Sequence, residues 1–333
     1  MKIASVCFNM AREQVGGAQV PAVAFKEWCE LLGHTCKLFS AFPGYLSDDI
    51  PHPVWRLNNA SELDDFDAVF FSTFGDFDFE NMTVPFTFMV HAEFDINDGN
   101  QLLINKTSKL PLCKFVTVIG LDYWGFEKQK LWYPCCMPEY LIDGTEEAQK
   151  NKNGLLYAAR ISSWKNLDIL ARLSNDEKFK SFAGEIKVFG AANKSQYYDL
   201  VMSNKPDFTI DNSVFSVYDV EQIKERNSQF KYFWDVNGTP EYKIELKRVN
   251  LACVEAIKFG CIPIVDFNTI PEFMKHFCID ISDVENGISS YADYIDKDYK
   301  NHISFMFEQM KNSQYSKQRV SSMIHNIITG LKS

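Results

Sequence analysis

The chain has 333 residues, which is long for a single core and enough for two domains. Its 46% hydrophobic and 14% aromatic residues exclude a disordered protein, and its net charge of −10 argues against one that grips long nucleic acid non-specifically, although a local basic groove is compatible with it. No apolar run approaches about 18 residues and the N-terminus is too short and polar for a signal peptide, so we expect a soluble cytoplasmic protein without membrane contact.

The first third of the chain begins with a strand, a loop and a helix. Residues 2–8 are predicted as a strand, 9–17 as a loop that ends in two glycines, and 18–32 as an amphipathic helix before a strand at 35–39. Further apolar strands are predicted at 67–72, 85–91 and 114–119. Short apolar strands separated by helical stretches predict a parallel, doubly wound sheet, which we assign to an N-terminal Rossmann-like domain over residues 1–140.

The pattern starts again after a polar, proline-containing linker at 134–153, and a second Rossmann-like domain is predicted over 154–304. Its strands are predicted at 155–157, 186–189 and 261–265, with weaker ones near 208 and 216, and its helices at 166–173, 196–203 and 249–259. The helical residues from about 305 to 333 are expected to cross back to the first domain. Two such α/β domains would face a central cleft at the carboxyl ends of their strands.

Two cations stand where the first strand of the second domain gives way to a helix. An apolar run ends at Arg160, a polar turn follows, and Lys165 comes directly before the amphipathic segment that begins at Asn166. The amides at a helix N-terminus favour an anion, and an Arg fork together with a Lys point charge suits a diphosphate. The alternative is that both cations lie on an ordinary solvated surface.

A single carboxylate interrupts the apolar pattern of the helix predicted at 249–259. Glu255 lies between apolar neighbours, the helix ends at Gly260, and the next strand contains Pro263. A carboxylate in such surroundings either pairs with a cation or accepts hydrogen bonds from the hydroxyls of a ligand. The alternative is an ordinary glutamate on the helix surface.

The Arg-x4-Lys segment and the Glu-Ala-x3-Gly-x-Ile-Pro segment together resemble the C-terminal domain of nucleotide-sugar glycosyltransferases with the GT-B fold. The resemblance implies that Arg160 and Lys165 bind the diphosphate of the sugar donor and that Glu255 binds its ribose. It also implies that Gly16 and Gly17 form the glycine loop of the family, where the backbone approaches the donor phosphate and sugar.

A closer resemblance is to the DNA α-glucosyltransferases of T-even phages. It rests on Met10-Ala11-Arg12, on residues 159–165 with their Trp, and on residues 233–237, where most GT-B relatives have a Pro-Ser segment. It implies transfer of glucose from UDP-glucose to 5-hydroxymethylcytosine in double-stranded DNA, with retention of configuration, which protects phage DNA from host nucleases. With it we expect a monomer in the cytoplasm of an infected bacterium, without a prosthetic group or a required metal.

Catalytic residues are expected at a strand end in the first domain. His91 matches the strand-end histidine that the family places near the reacting sugar, with an ordinary strand-end histidine as the alternative. The phage enzymes carry an Asp next, where this chain has Ala92, so the catalytic carboxylate is either Glu93 or Asp95.

Lys247 is a second departure from the family, because the general family has a Glu at this position. The transferred sugar is therefore open between glucose and a pentose such as arabinose.

Other functions stay open on the sequence. The same fold could glycosylate a lipid or a surface polysaccharide, which the charge of −10 favours and the phage-like segments oppose. A non-catalytic nucleotide-sugar binding module would bind the donor without turnover, and a Rossmann oxidoreductase is opposed because no G-x-G-x-x-G follows the first strand. The nine cysteines form no CxxC or zinc-spaced cluster, and residues 76–78 form an Asp-x-Asp in an acidic loop, so we expect reduced, buried thiols and no metal site.

Overall fold

The structure is a computed structural model of the chain. It describes residues 1–8, 19–41, 50–75, 77–90, 98–118, 130–148, 153–190, 196–212, 216, 218–238, 249–286, 295 and 297–332. The chain divides into two compact units, of which the first comprises Met1–Glu139 with Lys317–Ser333 and the second Tyr140–Ser316. No helix in these described ranges is long and apolar enough to span a membrane.

Both units combine strands with helices along the chain. The strands are β1 (Lys2–Cys7), β2 (Thr35–Ser40), β3 (Val54–Arg56), β4 (Ala68–Phe71), β5 (Phe86–Val90), β6 (Cys113–Val118), β7 (Lys130–Trp132), β8 (Gly154–Ala158), β9 (Glu185–Phe189), β10 (Ile210–Asp211), β11 (Tyr232–Trp234), β12 (Ile262–Val265) and β13 (Ile279–Asp280). The helices are α1 (Val20–Leu31), α2 (Asp98–Ser108), α3 (Leu167–Leu173), α4 (Glu177–Ala183), α5 (Gln196–Ser203), α6 (Val220–Asn227), α7 (Leu251–Lys258), α8 (Ile281–Glu285), α9 (Tyr299–Asn312) and α10 (Lys317–Lys332).

The first unit is built on a parallel sheet, whose described strands follow the order β3-β2-β1-β4-β5-β6-β7. Strands β1, β4 and β5 are almost continuous runs of buried residues, as expected for strands that are covered on both faces. Helix α10 packs on α1, β4 and β6, so the last helix of the chain belongs to this unit. The strand order reverses between β1 and β4, which places a topological switch point there.

Aromatic side chains fill much of the core of the first unit. Phe71 meets Phe79 and Phe86 edge to face, with ring centroids 4.9 and 6.1 Å apart, and Phe79 stacks on Phe86 at 5.5 Å. Ile104 brings α2 onto the same cluster. Such ring pairs add to the free energy gained by burying their apolar area, so this core fixes the strand ends around it.

The second unit is also built on a parallel sheet, whose described strands follow the order β10-β9-β8-β11-β12-β13. From β8 the chain winds towards β9 and β10, and from β11 it winds towards β12 and β13. The order therefore reverses between the neighbouring strands β8 and β11. In open parallel sheets, ligands bind outside the carboxyl ends of the two strands at such a reversal.

The prediction of two α/β units with parallel sheets is confirmed. The structure adds elements that the sequence analysis does not predict, among them the short strands β3, β7, β11 and β13 and the helices α2, α4 and α6. The weak strand predicted near residue 216 falls mostly outside the described residues. All nine cysteines are buried thiols and none forms a disulfide, as predicted.

Candidate functional site

Two loops begin at the carboxyl ends of β8 and β11, at the switch point of the second unit. They are residues 159–166, between β8 and α3, and residues 235–238, after β11. The amide N–H of Gly238 donates to the carbonyl O of Trp164 at 2.9 Å, and Asn166 Nδ2 donates to the carbonyl O of Gly238 at 2.5 Å. Both Asn166 (φ 48°) and Gly238 (φ 102°) adopt the left-handed backbone, which Asn and Gly tolerate best. The two loops are therefore held side by side.

This pairing of the loops brings Lys165 to Asp235. The ammonium Nζ of Lys165 lies 3.8 Å from Oδ1 of Asp235, and the two side chains are only 17% and 6% exposed. Water screens a pair buried to this degree much less than a surface pair, and a buried charge is tolerated when it has a partner of opposite sign. The ion pair of Lys165 and Asp235 therefore lies at the switch point, where each buried charge is balanced by the other.

Two amides hold the carboxylate of Asp235 in place. Asn237 Nδ2 donates to Asp235 Oδ1 at 2.9 Å and to the Asp235 carbonyl O at 2.7 Å. Asn250 Nδ2 donates to both carboxylate oxygens, at 3.0 and 3.1 Å. Asn250 immediately precedes α7, and its side chain bonds to Asp235 rather than to an amide of its own helix. The carboxylate thus joins the loop after β11 to the start of α7.

Arg160 lies two residues past β8, with an exposed side chain. The hydroxyl of Tyr157 donates to the carbonyl O of Arg160 at 2.8 Å, and burial raises the pKa of Tyr157 well above its usual value, so the hydroxyl keeps its proton. The hydrogen bond from the buried Tyr157 thus fixes the backbone of this exposed arginine. Its guanidinium is available to an anion at the same sheet edge as Lys165.

Glu255 lies one turn into α7, where it is 7% exposed. Burial raises the pKa of Glu255 to about 7, although the nearby cation of Arg226 on α6 acts in the opposite direction. Burial likewise lowers the pKa of Arg226. A carboxyl group with such a pKa is poised between its two protonation states near neutrality, and a ligand that donates hydrogen bonds to it would favour the charged form.

No family model matches the chain, and no curated protein sequence matches it. Solved structures do match, nearly end to end. An alpha-glucosyltransferase in complex with UDP and a 13-mer DNA containing an HMU base has a TM-score of 0.70 at 13% identity, with 100% of both chains covered. A glycosyltransferase from Rickettsia africae has a TM-score of 0.65 at 11% identity, with 99% of this chain and 97% of that chain covered. The DNA modifying enzyme beta-glucosyltransferase has a TM-score of 0.59 at 13% identity, with 100% of both chains covered.

This chain has the GT-B fold. The predicted fold class is thereby confirmed.

Several residues that the GT-B resemblance implies lie outside the described residues. Gly16 and Gly17 follow β1, which borders the switch point of the first unit, and His91, Glu93 and Asp95 follow β5. Their assigned roles stay predictions. Among the described residues, no group of three or more His, Cys, Asp or Glu side chains could hold a metal ion.

The site of this GT-B chain also contains residues that the sequence analysis does not select. Asp235 and Asn237 belong to the phage-like segment, but the sequence alone assigns them no role. An Asp-x-Asn directly after a strand could have indicated a binding site, because ligands bind at the carboxyl ends of such strands. Asn250 has the weaker signal of an Asn before a helix. Arg226 has none, because its relation to Glu255 arises only when α6 packs on α7.

Gly190, at the end of β9, supports the strand end that carries Arg160. A Cβ on Gly190 would lie 2.4 Å from the carbonyl O of Ala159, a separation that real Cβ atoms essentially never show. We therefore expect Gly190→Ala to force this backbone apart and to reduce the free energy of unfolding by about 1–3 kcal/mol. Urea unfolding measures the loss, and an unchanged midpoint would contradict the close approach of the two strand ends.

Proposed function

We propose that the chain is a glycosyltransferase that uses a UDP-sugar as donor. The observation that carries the proposal is the arrangement at the switch point of the second unit, where Lys165 is fixed beside Asp235 and a buried Glu255 lies on the helix that Asn250 ties to the same carboxylate. Cations at the carboxyl ends of the strands suit a diphosphate, and a poised carboxyl group suits the hydroxyls of a ribose. The GT-B fold supports the same proposal.

The chemical step depends on stabilising the leaving group. When the bond between the anomeric carbon and the donor oxygen breaks, negative charge builds on the β-phosphate of UDP. Arg160 offers planar N–H donors and Lys165 offers a compact positive charge to this oxygen. Because this charge is larger in the transition state than in the intact donor, these contacts lower the barrier more than they tighten binding. No metal is assigned a role in this step.

The GT-B resemblance assigns the remaining groups to residues that follow β1 and β5. Gly16 and Gly17 would let the backbone approach the donor phosphate and sugar, and His91 would position the sugar. Glu93 or Asp95 would orient the acceptor or accept the proton of its hydroxyl. The acceptor would attack from the face that the leaving group vacates, so that the configuration at the anomeric carbon is retained. The sugar would be glucose or a pentose such as arabinose.

The proposed acceptor is 5-hydroxymethylcytosine in double-stranded DNA. Two supports are the phage-like segments of the sequence and the two structural relatives named as enzymes that bind or modify DNA. The base would have to leave the stack to reach the site. We further propose that the protein acts as a monomer in the cytoplasm of a phage-infected bacterium, where the added sugar protects phage DNA from host nucleases.

A mass spectrum of DNA tests the proposal. Duplexes with and without 5-hydroxymethylcytosine are incubated briefly with the protein and a panel of UDP-sugars, and in parallel with the Lys165→Ala variant as a slow control. We expect a hexose or a pentose mass on the modified duplex alone, and much less of it with Lys165→Ala over the same time.

Each other outcome has its own meaning. Release of UDP without a gain of mass in either DNA would support the proposed glycosyltransferase activity and would replace the DNA acceptor by a polysaccharide or a lipid. Binding of UDP without turnover of any donor would favour a binding module, and absence of UDP binding would overturn the proposed donor.

A further inference from the structure

Asp235 is the group on which the candidate donor site converges. Its carboxylate accepts hydrogen bonds from the side-chain amides of Asn237 and Asn250 and lies beside the ammonium of Lys165. We propose that Asp235 is a positioning residue. It fixes the ammonium of Lys165 where the diphosphate would bind, and it fixes the position of Lys165 relative to α7, the helix that carries Glu255. This inference rests on the proposed function, in which the two side chains bind opposite ends of one donor.

The carboxylate is held by parts of the chain that are distant in sequence. Lys165 comes from the β8–α3 loop, Asn237 from the loop after β11, and Asn250 from the residue before α7. The backbone N–H of Asp235 is itself fixed, because it donates to the carbonyl O of Ile264 on β12 at 2.9 Å. A negative charge anchored in this way cannot follow the lysine, so the lysine must adjust to the carboxylate.

The distance between the charges suits a positioning role. At 3.8 Å, Lys165 Nζ and Asp235 Oδ1 are too far apart for a hydrogen bond, so Asp235 attracts the ammonium without accepting one of its N–H groups. The low exposure of both side chains leaves the attraction strong. The opposite charge of Asp235 thus holds the ammonium at one place, from which it could act on a phosphate oxygen.

Asp235 also connects the two ends of the site. Asn250 donates to both carboxylate oxygens of Asp235 and directly precedes α7. Glu255 follows five residues later, one turn into the same helix. A shift of the carboxylate would therefore displace both Lys165 and the start of α7. Catalytic geometry is sensitive to displacements of this kind, since reacting groups must be held within fractions of an ångström.

The test compares Asp235→Asn, which keeps the shape of the side chain and removes its charge, with Asp176→Asn. Asp176 is a matched control because it is an exposed aspartate of the same unit that caps α4. Lys165 reactivity towards an amine-directed N-hydroxysuccinimide ester is followed by peptide mass spectrometry in the absence of nucleotide. We expect labelling to rise at least about threefold in Asp235→Asn and to stay unchanged in Asp176→Asn, because a carboxylate nearby favours the charged, unreactive amine.

UDP affinity gives the second readout, through a double-mutant cycle with Lys165→Ala. We expect Asp235→Asn to weaken UDP binding about tenfold in the unsubstituted background and by a smaller factor in the Lys165→Ala background, because the part of the effect that passes through the lysine is then lost and only the part that passes through α7 remains. Equal losses in both backgrounds would overturn the inference, as would unchanged labelling of Lys165. Absence of UDP binding by the unsubstituted protein would instead overturn the proposed function, while the labelling would still decide whether Asp235 holds the lysine.

A milder variant covers the case in which Asp235→Asn does not fold. Asn250→Ser removes two of the hydrogen bonds to the carboxylate and keeps a residue that can cap α7. We expect it to raise Lys165 labelling in the same direction by a smaller factor. A folded Asn250→Ser protein with unchanged labelling would count against the tie between α7 and Lys165.

Discussion

Replacement of Lys165 by alanine is expected to lower the turnover number of the glycosyl transfer by about a hundredfold or more, the cost typical of losing one group that stabilises the charge of a transition state. The physical reason is that the ammonium sits, held beside Asp235, where the negative charge of departing UDP would develop. Steady-state kinetics with a UDP-sugar should place most of the loss in kcat rather than in KM, because the contact strengthens as the bond breaks.

Arg160→Ala belongs to the same experiment and should behave similarly. Suitable controls are Arg172→Ala and Lys178→Ala, which remove one exposed cation each from the same unit. Arg172 pairs with Glu285 on the surface at 2.6 Å, so its loss should hardly affect turnover. Near-normal turnover in both Arg160→Ala and Lys165→Ala would refute the assignment of these cations to the diphosphate. Equal losses in all four variants would point to a general effect of charge.

The fold could be predicted because its main strands carry their signal locally. Strands such as β4 and β5 are short runs of mostly apolar residues, which is the pattern of a parallel strand covered on both faces. Short edge strands such as β3 and β13 lack such runs, since an edge strand needs less apolar surface. The helix α6 was equally hard to predict because its residues are mostly polar, and only Ile223 and Asn227 are buried.

The candidate site could be predicted only where a residue's role follows from its place in a strand–loop–helix pattern. Arg160 and Lys165 stand at such a junction, so they could be selected from the sequence. Asp235 acts through Lys165, which is 70 residues away along the chain, and through Asn250 on another element. No local pattern contains these contacts, because they exist only after the two loops have been brought side by side. The burial of Glu255, which sets its pKa, is a tertiary property for the same reason.

Replacement of Glu255 by glutamine is expected to remove a pH dependence from donor binding. In the unsubstituted protein the pKa of Glu255 is about 7, so the carboxylate that would accept the ribose hydroxyls is a minor species at pH 6 and the major one at pH 8. Apparent affinity scales with the fraction of the competent state, which predicts about a tenfold gain in UDP affinity over this range. Glutamine does not titrate, so its affinity should be weaker at pH 8 and should lack this gain.

Isothermal titration calorimetry at pH 6, 7 and 8 measures the effect. The phosphates of UDP also titrate in this range, and the difference between the two proteins cancels their contribution. Glu225→Gln is the matched control, since Glu225 is an exposed glutamate on α6. A parallel pH dependence in the unsubstituted protein and in Glu255→Gln would contradict the ribose role, and so would equal affinity at pH 8.

The same pKa should appear in the stability of the protein without donor. Because the folded-state pKa of Glu255 lies above its unfolded value of 4.5, the folded protein binds more protons between these two values. The free energy of unfolding should therefore fall by up to about 3 kcal/mol from this group as the pH rises from 4.5 to above 7, and stay level beyond. Urea unfolding of Glu255→Gln should lack this decline. The donor would then restore at pH 8 the stability that the buried carboxylate costs, because its hydroxyls would hydrogen-bond to the charge that burial leaves poorly solvated.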